Sequence, residues 1–180
     1  MPLPAHVLPM NPESPRAGLH TLFEEHHQRV FRAAYRVTGN AADAEDALQT
    51  VFLRLARHAE PDLRPSPGSY LHRAAVNAAL DVVRSRASAK SERLEQASEV
   101  RAPESQEPDH ALDEKDLKRR LRLAVATLPE RAAAMFALRY FEDCEVKQIA
   151  KMFGTSASVV AVTLFRARGQ MKRALRGETP

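Results

Sequence analysis

Glu145 to Arg176, EVKQIAKMFGTSASVVAVTLFRARGQMKRALR, constrains the fold more than any other stretch of the chain. Val146, Ile149, Ala150 and Phe153 recur at helical spacing, which predicts a first helix over 145–153. Gly154 follows, a residue that takes a left-handed backbone without steric cost and so stops helices. Thr155 and Ser156 come next, and either hydroxyl can cap the first amides of a second helix. That helix places Val159, Val160, Leu164, Ala167 and Met171 inward and carries Arg166, Arg168, Lys172, Arg173 and Arg176 towards its end. A short helix, a Gly-containing turn and a longer helix with a basic end form a helix-turn-helix pattern, whose second helix can lie in the DNA major groove. The same residues leave open an ordinary helical hairpin with a solvated basic face.

Charge supports the first of these. Net charge is +4, with an isoelectric point near 9.5, which permits a polyanionic partner without requiring one. From Leu112 onward five Lys and nine Arg face eight acids, whereas residues 19–87 hold nine bases and eight acids. The excess therefore sits with the helix-turn-helix. Scarce Gly and abundant Ala, Leu and Arg indicate an all-α protein. Cys144 is the single cysteine, which excludes an intrachain disulfide framework and a thiolate metal cluster and fits a reduced, cytoplasmic compartment. The first 18 residues hold five prolines and lack the basic start and apolar run of a signal peptide. No run reaches membrane-spanning length, so direct membrane insertion is not expected.

Residues 1–18 are expected as a disordered leader, because prolines oppose a regular helix. A helix from Leu19 has Leu22, Phe23, Val30, Phe31, Ala34, Tyr35 and Val37 on a broad apolar face. Gly39 ends it; Asn40 can cap the next, with Asp43 placed to close a capping pair. The second helix, Ala41 to about His58, buries Ala44, Ala47, Leu48, Val51, Phe52 and Leu55. Its acids Asp43, Glu45 and Asp46 suit the positive end of a helix dipole. Residues 60–69 form a proline-rich loop, and a third helix follows over 69–86 with Leu71, Ala74, Ala75, Ala78, Ala79, Val82 and Val83 inward. Tyr70, Arg73, Asn77, Arg84 and Arg86 face elsewhere, either as a solvated face or as a basic face with an aromatic able to stack on a base.

Residues 88–111 are polar, acidic and without aromatics, the composition of a flexible or partly helical linker. Helices resume at Leu112. Leu117, Leu121, Val125 and Leu128 mark one amphipathic helix, and Pro129 suits the first position of the next. That next helix buries Ala133, Phe136, Ala137 and Tyr140 or Phe141. The expected architecture is two small helical domains, 19–87 and 112–176, joined by the linker and followed by a tail over 177–180.

Three of these pieces together resemble the extracytoplasmic-function sigma factors of bacterial RNA polymerase: DAEDALQTVFLRL (Asp43 to Leu55), SYLHRAAVNAALDVVRSR (Ser69 to Arg86), and Leu128 to Arg168. The resemblance implies core polymerase and promoter DNA as partners, and an anti-sigma factor as regulator. It implies that Asp43, Asp46, Gln49 and Arg54 dock on polymerase. Tyr70, Arg73, Asn77 and Arg84 are implied in reading and melting the minus-ten element. Tyr70 stands where a tryptophan is usual, and Asn77 matches the family asparagine. Ser156, Ser158, Val159, Val162, Arg166 and Arg168 would face the minus-thirty-five element. No cofactor or metal is implied, and no catalytic chemistry.

The departures are specific. Thr50 replaces a glutamate, and Ala161 and Thr163 stand where a lysine and an arginine would meet DNA, which predicts weakened upstream binding with a shallower salt dependence. A free-standing helix-turn-helix regulator is the alternative, but it leaves the acidic helix and the Tyr70–Arg86 helix idle. An enzyme fits worse: the histidines show no ligand spacing, and no nucleophile elbow, phosphate loop or zinc motif is present.

Overall fold

The computed structural model describes residues 15–57, 63, 65–96 and 110–176. Among them the chain forms seven helices: α1 (Pro15–Thr38), α2 (Ala41–Arg57), α3 (Pro67–Gln96), α4 (His110–Ala126), α5 (Glu130–Tyr140), α6 (Val146–Met152) and α7 (Ala157–Leu175). Helices α1, α2 and α3 pack together as one bundle and α4 to α7 as a second, and α3 also packs on α4, α5 and α6.

The periodic apolar faces account for the first bundle. Val30, Ala33, Ala34 and Val37 of α1 meet Ala44, Ala47, Val51, Phe52 and Leu55 of α2 in its core. Asn40 caps α2, its Oδ1 accepting from the amides of Ala42 and Asp43 at 2.8 and 3.3 Å. Gly39, at φ +69°, supplies the left-handed turn between α1 and α2.

Helix α1 begins at Pro15, inside the expected leader. A proline is tolerated in a helix's first turn, where its missing N–H has no partner to lose. Helix α3 continues through Ser88 to Gln96, ten residues past the expected end, so part of the expected linker is helical. The remainder of the leader and linker, the proline-rich stretch 58–62 and the tail lie outside the described residues.

Burial departs from the expected faces in the second half. Leu117 is exposed, and the core on α4 begins only at Ala124 and Val125. Pro129 precedes α5 as its N-cap instead of opening it. Residues Ala133 to Leu138 are all buried, the pattern of a helix covered on every side. Helices α6 and α7 pack against one another and α5 packs on both, while α3 covers α5 from the first bundle; Tyr140 stays exposed. Cys144 is a buried filler whose thiol is pushed up by desolvation and then by Glu142. No single described helix is long and apolar enough to cross a membrane; α6 and α7 would pass together, but they bend by 106°.

Candidate nucleic-acid interface

The turn between α6 and α7 is built as its residues dictate. Gly154 sits at φ +57°. Ser156, in extended backbone, caps α7 by accepting from the Val159 amide at 3.3 Å. Glu145 closes a capping box on α6 with Gln148. Val160, Leu164, Ala167 and Met171 form the buried stripe of α7. Val159, expected among them, is instead exposed together with Val162 and Phe165, the last at 70%. Ser156, Ser158, Arg166 and Arg168 are exposed as well. Thr163 is half-buried, its hydroxyl donating to the Val159 carbonyl at 2.8 Å.

Arg73 and Arg84 of α3 turn towards the second bundle. Arg73 donates to the Met152 carbonyl at the end of α6 and lies over the Phe153 ring, 5.4 Å from its centroid. Arg131 lies over the same ring at 5.4 Å and donates to the Phe153 carbonyl. Arg84 donates to the carbonyls of Ala126 and Leu128, at 2.9 and 3.2 Å, where α4 ends. Each arginine thus meets a helix C-terminus, where unsatisfied carbonyls and the negative dipole end attract cations. Beside Arg73 and Arg131 lies a cleft lined by these two and by Asn77, Glu130, Ala134 and Phe153. The Asn77 Oδ1 is buried there without a hydrogen-bond partner. Tyr70 is half-buried against the first bundle's core.

A buried polar cluster fastens the same contact. His72, 5% exposed, accepts from Arg29 at Nδ1 (3.3 Å), which leaves its Nε2–H to donate to Glu142 at 2.8 Å. Arg36 holds the same Glu142 oxygen at 3.2 Å, and the other oxygen is buried without a partner. At the α1–α2 turn the Arg122 guanidinium crowds Gly39 so closely that a Cβ there would clash at 2.5 Å.

On α2, Asp46, Gln49 and Arg54 are exposed, with Arg54 paired to Asp81 at 3.7 Å. Asp43 is not a surface acid. It is 5% exposed and paired with Arg86 of α3, so it does not close the capping pair expected of it. Burial pushes its carboxyl above the ordinary value, Arg86 pulls it back, and Asp46 adds to the rise. The groove beside these residues is lined by His27, Phe31, Arg32, Glu45, Leu48 and Gln49.

Residues 22–89 match the Sigma-70 region 2 family and residues 118–171 match Sigma-70 region 4. Among similar proteins is the ECF RNA polymerase sigma factor SigE of Mycolicibacterium smegmatis, 30% identical over 84% of this chain and 59% of that protein. The chain belongs to the extracytoplasmic-function sigma factors. It spans less than two thirds of the length of SigE. RNA polymerase sigma factor SigV of Bacillus subtilis is 26% identical over 89% of this chain and 92% of its own. The sigma factor RpoE of Bartonella quintana, solved in complex with the anti-sigma factor NepR, superposes with a TM-score of 0.45 at 13% identity. That likeness covers 90% of this chain and 99% of that one.

Three of the four residues expected to read the minus-ten element, Arg73, Asn77 and Arg84, lie on the α3 side that meets the second bundle. His72 and Glu142, which fasten that contact, carry no motif. The available signal was the uninterrupted run of apolar residues on α5, AAAMFAL, which demands cover on all sides.

Proposed function

We propose that this sigma factor binds core RNA polymerase through the exposed part of α2, melts and reads the minus-ten element with α3, and anchors upstream with α7. The observation that carries the proposal is the order of parts on one chain: an acidic exposed helix, a helix carrying Arg73, Asn77 and Arg84, and a capped helix-turn-helix. Unstacking a base costs a few kcal/mol, which ring stacking and edge hydrogen bonds can return; Tyr70 and Asn77 are the groups suited to it. A cytoplasmic location and regulation by an anti-sigma factor belong to the same proposal. The test is promoter-dependent transcription by core polymerase with and without the full chain. A chain that shifts duplex DNA but is not retained by core polymerase would be a free-standing regulator instead.

Within α2 the roles separate by exposure. Asp46→Lys is expected to weaken core-polymerase retention at least tenfold, since it reverses an exposed charge at a charged interface. Asp43→Asn should leave retention within about twofold, because the buried carboxylate positions α2 against α3. Equal losses in a titration with core polymerase would refute this division.

The surface of α7 also explains the expected weakness upstream. Ala161 is exposed where a cation would supply a phosphate contact. Ala161→Lys should strengthen duplex binding and steepen its salt slope by about one, the increment of one added phosphate contact. Thr163→Arg should do less, since Thr163 is half-buried and tied to its own backbone. An unchanged slope for Ala161→Lys would mean that position does not face DNA.

A further inference from the structure

We infer that the apolar outward ridge of α7 is a thymine-methyl reader, with Val162 as its central specificity residue and Val159 and Phe165 beside it. The inference rests on the reading of α7 as the major-groove helix and names what that helix recognises. At about 100° per residue, Val162 falls opposite the buried stripe of Val160, Leu164, Ala167 and Met171. Ser158, Val162 and Phe165 then follow one another along the outward line, with Val159 at its side. Val159, Val162 and Phe165 are 46%, 49% and 70% exposed. Further along the same outward side come Arg166, Gly169, Lys172 and Arg173, all exposed.

Two features select duplex DNA as the occupant. Arg166, Arg168, Lys172 and Arg173 carry no ion pair among the described residues, and α7 contains no acid. An apolar patch continued by unneutralised cations is complementary to a groove whose floor holds methyl groups and whose walls are phosphates. Gly169 adds to this, with open space where a Cβ would stand, so that a sugar–phosphate strand can approach bare helix backbone. The order along the helix also fits, because N-terminal residues of such a helix reach base edges while later turns meet the backbone. Of the groups on the major-groove edge, the thymine C5-methyl is the one an aliphatic side chain can contact favourably. Thr163 is half-buried and its hydroxyl hydrogen is committed to the Val159 carbonyl, so it has no donor to offer a base edge. The ridge stays accessible while the two bundles are packed together, so the free chain suffices for the test.

Duplexes enriched by the full chain from a randomised library should carry thymines at fixed positions. Replacing those thymidines by deoxyuridine removes only the methyl group and should weaken binding about fourfold per contacted position, the factor for burying one methyl-sized group. In Val162→Ala the thymine-to-uracil ratio at the contacted position should fall towards one, while salt-dependent affinity persists. Equal binding of thymine and uracil duplexes by the unaltered chain overturns the inference. So does a ratio that survives in both Val162→Ala and Phe165→Ala. Val162→Lys leaving duplex selection unchanged would mean that a protein covers the ridge, and would overturn it too. Failure to enrich any duplex sequence would instead refute α7 as a DNA helix, and the methyl-reading role with it.

Discussion

Glu142→Ala is expected to part the two bundles and raise the full chain's affinity for a single-stranded minus-ten oligonucleotide by about tenfold or more. Glu142 belongs to the second bundle, yet its charged oxygen is held by His72 and Arg36 of the first. Hydrogen bonds to a charged group contribute about 1.5–3 kcal/mol, and that energy exists only when the bundles touch. Losing it shifts the closed-to-open ratio by roughly 10- to 150-fold. The closed arrangement disfavours the strand at Arg73 and Arg84, because both guanidinium groups are turned onto helix-end carbonyls of the second bundle. Apparent affinity therefore rises with the open fraction until the chain is mostly open. The solution radius of gyration should grow in parallel. A variant that expands without binding more tightly would show that the contact does not guard the DNA face. A variant that changes neither quantity would remove Glu142 as the fastening.

This closed contact marks where the sequence stops being legible. The amphipathic faces of α2 and the helix-turn-helix follow from periodicity and capping residues, because each element's apolar stripe is answered by a neighbour within its own bundle. Asn40, Gly39, Gly154 and Ser156 act locally, through backbone conformation and caps, and local chemistry can be read from a string. Arg73, Asn77 and Arg84 could not be placed that way. The partners of Arg73 and Arg84 are main-chain carbonyls of Met152, Ala126 and Leu128, groups that every residue carries and that no motif encodes, and the buried Asn77 Oδ1 has no hydrogen-bond partner among the described residues. Val159 and Val160 are adjacent and alike, and only the packing of α7 on α5 and α6 decides which of them turns inward. Leu117 misleads for the opposite reason: its spacing is helical, but nothing described covers that end of α4.

Asp43 yields the second large effect. Its carboxylate is buried at the α2–α3 contact and its ion partner is Arg86, whose side chain is 57% exposed. Arg86→Met keeps the aliphatic stem and removes the charge, leaving a buried acid without compensation. Breaking a fully buried pair costs about 3–5 kcal/mol; solvent access at Arg86 reduces this, so a loss of about 2 kcal/mol at pH 7 is expected. For a chain of this size that corresponds to a fall in Tm of about 4–8 °C. The pH dependence has a definite sign. Burial already holds the Asp43 carboxyl above its ordinary value, and Arg86 is the main influence pulling it down. Removing Arg86 raises it further in the folded state, while the unfolded value stays near 3.9. A raised folded value favours the native state when the group is protonated, so that contribution is present at low pH and lost as pH rises through the folded value. The penalty of Arg86→Met should therefore shrink as pH is lowered from 7 towards 4. Asp43→Asn in the same background should restore most of the lost stability at pH 7, and the double-mutant cycle should show coupling well above 0.5 kcal/mol. Denaturant titrations of the four variants at pH 7 and pH 5 provide the measurement. A penalty that is independent of pH and of residue 43 would mean that Arg86 stabilises α3 by packing its stem, with no electrostatic role at Asp43.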